Sequence, residues 1–166
     1  MLKDMGSNMA ETSSIALLHS IPPRESFLEF QYSLPSIVTV VSQVVNALIA
    51  RISSLGVDEG AKDDIAIALQ EALLNAVVHG NKQDPYKRVY VALRCGLDGE
   101  VRITIRDEGA GFDLGSLPAP TTPPHLFSGH GRGIFLMRAL MDEVLFEQGG
   151  SVVHMRKSSP AQPLQQ

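Results

Sequence analysis

The chain has 166 residues, a length that fits about one domain of ordinary size. Its net charge of −4, with 44% hydrophobic and 19% charged residues, is typical of a globular protein and argues against direct nucleic-acid binding. The single cysteine, Cys95, excludes an internal disulfide framework and a zinc site built from several cysteines.

The two ends of the chain have the composition of tails around one folded domain. Residues 1–26 show no hydrophobic period and end near Pro22-Pro23, and residues 158–166 are rich in Ser, Pro and Gln. We therefore expect a flexible N-terminal tail over 1–26, a domain over 27–157 and a frayed C-terminal tail over 158–166. No stretch has the length and apolarity of a membrane span, and no signal-peptide layout opens the chain, so we expect a cytoplasmic protein that does not contact a membrane.

The first half of the domain predicts one strand followed by two helices. The strand runs over Phe27–Leu34, and Pro35-Ser36 then begins a helix that ends at Ser54. The second helix is predicted from about Asp58 to Val78, and Gly80 suits the left-handed position that follows a helix C-terminus. Because apolar residues lie nearly all round this helix, we expect most of it to be buried.

The second half predicts two hairpins that are separated by a long loop and a helix. Strands over Arg88–Leu97 and Val101–Arg106 flank the turn pair Asp98-Gly99. The stretch from Asp107 to Gly133 is rich in Gly and Pro, as lids and binding loops are. A helix and a second hairpin follow over Ile134–Met141, Glu143–Glu147 and Ser151–Arg156. This order predicts a sheet with helices on one face.

The second helix carries a carboxylate and an amide, Glu71 and Asn75, one turn apart between two apolar groups. A carboxylate held in such surroundings must be paired, bound to an ion or protonated, and it can serve as a general base. Asn75 offers a neutral oxygen to a hard cation such as Mg²⁺. The alternative is that Glu71 is exposed, or is neutralised by an arginine such as Arg51 or Arg106.

Two glycine-rich segments can hold a ligand. Asp107 ends a strand and enters the turn with Gly109 and Gly111, where its carboxylate could accept a hydrogen bond from an exocyclic amine such as that of adenine. The alternative is a plain turn capped by the aspartate. Gly129-His130-Gly131-Arg132-Gly133 precedes a helix, and backbone N–H groups at such a helix start bind phosphates. Arg132 either screens phosphate charge or is simply solvated.

Together, in this order, these segments resemble the N box and the two glycine boxes of the GHKL (Bergerat-fold) ATPases. The matching runs are Glu71–Asn81, Asp107–Phe112 and Gly129–Ile134. The run from Gly131 to Val144 is similar in particular to the small anti-sigma factor serine-protein kinases. The resemblance implies a two-layer α/β (α+β) sandwich, in which helices cover one face of a mixed, mostly antiparallel sheet.

The resemblance also implies a role for each matched residue. Glu71 matches the base that activates the attacking hydroxyl, Asn75 the magnesium ligand, and Asp107 the residue that binds the adenine amino group. Gly109 and Gly111 match the floor beside the adenine. The end of the lid that wraps the phosphates matches Gly129, His130, Gly131, Arg132 and Gly133.

The implied function is that of an ATP- and Mg²⁺-dependent serine/threonine-protein kinase. Its partners would be a small anti-anti-sigma (STAS-type) protein, which it phosphorylates, and a sigma factor, which it sequesters; related proteins are often homodimers. The alternative is a nucleotide-binding module that binds partner proteins without phosphotransfer. A sensor histidine kinase is disfavoured because the only upstream histidine, His19, lies in the predicted tail. The proline-rich lid, Leu117–Pro124, departs from the family pattern.

Overall fold

The computed structural model describes residues 27–111 and 132–158 of the chain. The predicted N-terminal tail, the final residues of the C-terminal tail and the lid residues 112–131 lie outside these ranges, and so do Gly129, His130 and Gly131. Within the described ranges, no helix combines the length and the apolar character that crossing a membrane requires.

The described residues form five strands and three α-helices. The strands are β1 (Phe27–Pro35), β2 (Arg88–Gly96), β3 (Val101–Asp107), β4 (Glu143–Glu147) and β5 (Val152–Lys157). The helices are α1 (Val38–Ser53), α2 (Glu59–Leu74) and α3 (Arg132–Leu140). A π-helical segment, Asn75–Gly80, directly continues α2, and a short 3₁₀ turn, Gln148–Gly150, joins β4 to β5. Each predicted element is present near its predicted bounds, except for the end of the second helix.

The strands form one sheet in the order β1-β2-β3-β5-β4. Every neighbouring pair in this sheet is antiparallel. The predicted sandwich, with helices on one face of a mostly antiparallel sheet, is confirmed, and no parallel pair occurs among the described strands. Two of these pairs, β2–β3 and β4–β5, are hairpins whose turns reverse the chain within a few residues.

The hydrophobic core lies between one face of the sheet and the helices. Alternate residues of the central strands are buried, as the period of two in their sequences predicts. They are Val89, Val91, Leu93 and Cys95 of β2 and Val101, Ile103 and Ile105 of β3. The register places Val91 directly opposite Ile105, so the two buried rows lie side by side under α1 and α2.

Helix α2 begins at an aspartate cap and buries one side. Asp58 Oδ1 accepts a hydrogen bond from the backbone N–H of Gly60 at 3.3 Å. The residues that α2 buries include Ile65, Ala68, Leu69 and Leu73. Ile67, in contrast, is 47% exposed. The prediction that this helix is largely buried all round is therefore wrong on the side that faces away from the sheet.

The end of the second helix differs from the prediction. After Leu74 the chain widens into the π-helical segment, and the N–H of Asn81 donates to the carbonyl of Ala76, five residues earlier, at 2.8 Å. The left-handed residues that follow are Lys82 and Gln83, with φ of 56° and 57°, and not Gly80. Single π-turns of this kind are frequent at functional sites.

The buried and the exposed side of α2 predict different losses of stability for two truncations to alanine. Leu69→Ala removes a side chain that is 1% exposed, and we expect it to lower the free energy of unfolding by about 2–5 kcal/mol. Ile67→Ala, in the same helix, should change it by about 0.5 kcal/mol or less because Ile67 already faces solvent. Urea unfolding of both variants measures the difference. Equal losses would contradict the described orientation of α2.

Candidate functional site

Helix α3 lies against α2 with its first turn near the C-terminal end of that helix. At the opposite end, Lys157 Nζ donates to Asp64 Oδ2 of α2 and to the carbonyl of Leu140, the last residue of α3, both at 2.6 Å. The charged amine therefore joins α2, α3 and β5. This contact holds the C-terminal end of α3 against α2.

Glu71 and Asn75 meet the start of α3 at Gly133. A Cβ built on Gly133 would lie 2.6 Å from Glu71 Oε2 and 3.5 Å from Asn75 Nδ2. Real Cβ atoms do not approach an oxygen to 2.6 Å, so a side chain at position 133 would displace the Glu71 carboxylate. The carboxylate thereby lies beside the positive end of the α3 dipole, which favours negative charge there.

The structure tests both alternatives for Glu71. Its side chain is partly buried, and among the described residues no ion pair to it is formed. The guanidinium of Arg51 lies over the ring of Phe30, and that of Arg106 over Tyr90, each 4.6 Å from the ring centre. Neither arginine neutralises Glu71, whose carboxylate faces α3 without a cationic partner in the described ranges.

Asp107 is a buried carboxylate at the end of β3, with 8% of its surface exposed. Its Oδ1 accepts a hydrogen bond from Gly109 N–H at 2.8 Å, and its own N–H donates to Ser151 O at 3.0 Å. Burial raises the pKa of this carboxyl, while the Gly109 N–H and the charge of Lys87 act in the opposite direction. Within the described residues Oδ2 accepts no hydrogen bond, so it can accept one from a ligand.

Two glycines bring the end of the π-helical segment against Asp107. A Cβ on Gly80 would lie 2.3 Å from Asp107 Cγ, and a Cβ on Gly109 would lie 2.1 Å from the carbonyl oxygen of Gly80. Gly80 is therefore required by close contact with the carboxyl group. Gly111 has a φ of 77° and packs against the carbonyl of Gly149, so it anchors its turn to the β4–β5 connection.

The predicted site residues thus form two groups, one at each end of the segment formed by the last turn of α2 and the π-helical segment. Glu71 and Asn75 meet Gly133 near the end of α2, and Asp107 and Gly109 meet Gly80 at the end of the π-helical segment. Arg132 is the exposed first residue of α3. The sequence reasoning missed the contact role of Gly80 and overlooked Asn81 and Glu108, although Asn81 ends the motif that begins at Glu71.

The donor set fits a nucleotide bound with magnesium. Among the described residues no cluster of three or more His, Cys, Asp or Glu side chains could hold a metal ion. Mg²⁺ does not need such a cluster, because it is commonly held by one or two protein oxygens together with substrate phosphates. The Asn75 amide can supply such an oxygen. The buried Asp107 carboxylate, whose Oδ2 accepts no hydrogen bond from the described residues, suits a base with an exocyclic amino group.

Comparison with known proteins identifies the family. The family model described as the histidine kinase-like ATPase domain matches residues 33–157. The anti-sigma F factor of Heyndrickxia coagulans is 35% identical over 95 residues, which cover 54% of this chain and 64% of that protein. The serine-protein kinase RsbW of Bacillus subtilis is 32% identical over 131 residues, which cover 74% of this chain and 79% of that protein. The chain thus spans somewhat under two thirds of the first of these relatives.

A solved structure supports the same fold. The crystal structure of the RsbU and RsbW domains of a Mycobacterium tuberculosis protein superposes with a TM-score of 0.57 at 21% identity. The match covers 83% of this chain and 35% of the other. At this identity the likeness concerns the fold alone, which agrees with the sheet and helices described above.

Gly80 provides a steric test of the site. Gly80→Ala should displace the Asp107 carboxyl, and we expect it to lower the free energy of unfolding by about 1–3 kcal/mol because the tight turn must open. Gly60→Ala is the matched control, since the added methyl would lie 3.9 Å from its nearest neighbour, Asp58 Oδ2. That control should be neutral or stabilising by about 0.5–1 kcal/mol. Thermal and urea unfolding measure both, and an unperturbed Gly80→Ala would contradict the contact.

The buried Asp107 carboxyl predicts that the difference in stability between wild type and Asp107→Asn depends on pH. Because burial raises its pKa in the folded state, the folded protein holds this proton more tightly than the unfolded chain. The contribution of Asp107 to stability is therefore greatest below the unfolded pKa and is lost as the pH rises through the folded pKa. Asp107→Asn should be more stable than wild type at pH 7, and the gain should shrink towards about pH 4.

Urea unfolding across this pH range measures the difference between Asp107→Asn and wild type. Asp63→Asn, at an exposed position of α2, is the control for loss of a negative charge. A gain that is the same at every pH, or a loss at neutral pH, would show that Asp107 is not held in a desolvated position.

Proposed function

This chain belongs to the histidine kinase-like ATPase family, and from that premise we propose that it is an ATP-dependent serine/threonine-protein kinase of the anti-sigma factor type. Its similarity to anti-sigma F factors and to the serine-protein kinase RsbW supports this assignment. In the proposed function the protein binds ATP with Mg²⁺, phosphorylates a small STAS-type anti-anti-sigma protein and sequesters a sigma factor.

The observation that carries the proposal is the contact of Glu71 and Asn75 with Gly133. A carboxylate, an amide and the first turn of a helix face one another there because Gly133 has no side chain. These are the three groups that phosphoryl transfer needs near the reacting phosphate: a proton acceptor, an oxygen ligand for a cation, and N–H donors for anionic oxygens.

Each of these residues has a defined task in the proposed reaction. ATP with its bound magnesium supplies the transferable phosphoryl group and the neutralisation of its charge. Glu71 accepts the proton that the serine or threonine hydroxyl of the partner loses. Asn75 holds the magnesium ion through its side-chain oxygen. The backbone N–H groups at the start of α3, together with Arg132, bind the terminal phosphates. We assign Gly129, His130 and Gly131 to the same group on the resemblance alone.

Asp107 would select the base. Its Oδ2 accepts no hydrogen bond from the described residues, and in the proposed function it accepts one from the exocyclic amino group of adenine. Guanine presents a carbonyl oxygen at the corresponding position and would be repelled by the carboxylate. The base and the phosphates then bind at opposite ends of the segment formed by the last turn of α2 and the π-helical segment.

The proposed partners place the protein in the cytoplasm, where sigma factors act. A homodimer is part of the proposal because related proteins are often homodimers. We also propose that residues 27–157 form the ATPase domain, with the segments on either side as tails.

Glu71→Gln tests the proposed mechanism. The amide keeps the size of the side chain but cannot accept the proton, so phosphate transfer to the STAS-type protein encoded nearest to this one should fall by about 10²-fold or more. Binding of Mg-ATP should be retained, as it should in Glu71→Ala. Labelling with radioactive ATP measures transfer, and titration calorimetry measures binding.

Asp63→Asn, which removes an exposed carboxylate from the same helix, is the control and should transfer phosphate at the wild-type rate. Full transfer by Glu71→Gln would exclude Glu71 as the base. If the wild-type protein binds Mg-ATP but labels no STAS-type protein, the result would favour a nucleotide-binding module that acts without phosphotransfer.

A further inference from the structure

Asn81 is a buried amide to which the proposed function assigns no task. It directly follows the π-helical segment, and only 1% of its surface is exposed. Its Nδ2 donates to the carbonyl of Arg88 at 2.9 Å, and its Oδ1 accepts from the N–H of Glu108 at 2.8 Å. Its own N–H donates to the carbonyl of Ala76. The backbone and side chain of this one residue therefore join the π-helical segment, the start of β2 and the turn after β3.

The Glu108 carboxylate also joins this turn to β2. Its Oε2 accepts from the N–H of Arg88 at 2.8 Å, and its Oε1 accepts from the hydroxyl of Tyr90 at 2.9 Å. These hydrogen bonds lower the pKa of Glu108 and raise that of Tyr90. Asn81 and Glu108 thus hold the two backbone polar groups of Arg88, and we call this arrangement the Asn81–Glu108 clasp.

The clasp holds Glu108 in place in the turn after β3. Glu108 lies between Asp107 and Gly109, and the N–H of Gly109 donates to Asp107 Oδ1. With the N–H of Glu108 held by Asn81 and its carboxylate held by β2, the peptide units on either side cannot rotate freely. The direction of the Asp107 carboxyl group therefore depends on a side chain that does not itself face the ligand.

We propose that Asn81, together with Glu108, is a positioning residue that sets the preference of this site for adenine over guanine. The proposal rests on the proposed function, in which the site binds ATP. A carboxylate discriminates between an amino group and a carbonyl group only if it is held in place, because a side chain that can turn away escapes the repulsion by guanine.

Asparagine suits this position because it donates and accepts at once. Asn81→Ala leaves the carbonyl of Arg88 and the N–H of Glu108 without their buried partners, so water must enter and the turn must loosen. Asp107 then becomes hydrated and loses its fixed direction. Tyr90→Phe is a milder variant, since it removes one hydrogen bond from the Glu108 carboxylate and changes no charge.

The first experiment measures the affinities of the full-length chain for Mg-ATP and Mg-GTP by titration calorimetry. Wild type should prefer ATP. Asn81→Ala should reduce the ratio of the two affinities by about tenfold, mainly through weaker ATP binding, and Tyr90→Phe should reduce it less. Asn46→Ala, at an exposed position of α1, is the matched control and should keep the wild-type ratio. Asp107→Asn shows the ratio that remains when the carboxylate is absent.

The second experiment needs no nucleotide. A ¹³C NMR titration of the Asp107 carboxyl should give a raised pKa in wild type and in Asn46→Ala. In Asn81→Ala the pKa should fall towards its ordinary value, because the loosened turn admits water. A purely structural role of Asn81 would lower the melting temperature and leave both the base preference and this titration unchanged.

The outcomes separate the two proposals. An unchanged ATP-to-GTP ratio together with an unchanged Asp107 titration in Asn81→Ala would overturn the positioning role. If wild type binds neither nucleotide, the proposed function fails, and the NMR titration alone then decides whether the clasp holds Asp107. If Asn81→Ala does not fold, Tyr90→Phe carries both measurements, and wild-type values in both would overturn the inference.

Discussion

The proposed site depends on glycines, at which the backbone approaches other groups more closely than a residue with a Cβ atom would allow. Gly133 brings the start of α3 to Glu71 and Asn75, and Gly80 and Gly109 enclose the Asp107 carboxyl. Each contact joins segments that are distant in the chain. Adding one methyl group at Gly80 or Gly109 would separate the groups that the proposed site needs together, and one at Gly133 would displace the Glu71 carboxylate, so the close packing is the condition on which the proposed chemistry rests.

The site also keeps a carboxylate where it lowers stability. Asp107 is nearly buried, and its raised pKa reflects the free energy that desolvation of the charged form costs. The hydrogen bond from Gly109 N–H offsets part of this cost, and the Asn81–Glu108 clasp holds the turn in which that bond forms. Such a group is expected where a site must present a fixed acceptor to a ligand, and in the proposed function Asp107 would serve binding at the expense of folding free energy.

The sequence predicted most of the secondary structure because its patterns are local. The Asp98-Gly99 turn, the alternation in β2 and β3 and the breaks near Pro35 and Gly56 each act within a few residues. The end of α2 could not be predicted in this way. Nothing between Asn75 and Gly80 distinguishes a π-turn from an α-turn by composition, and the wider turn is maintained by packing of Ala76 and Val77 and by the hydrogen bond from Asn81.

The sequence by itself determined the order of the elements, the face of each strand that is buried, and the three polar and glycine-rich segments that carry the family resemblance. These properties follow from periodicity and residue type along the chain. Only the tertiary structure decided that Gly80 contacts Asp107, that Ile67 faces solvent, and that Asn81 binds Glu108, which lies 27 positions further along the chain. Contacts of this kind depend on how separate segments pack, which no local pattern specifies.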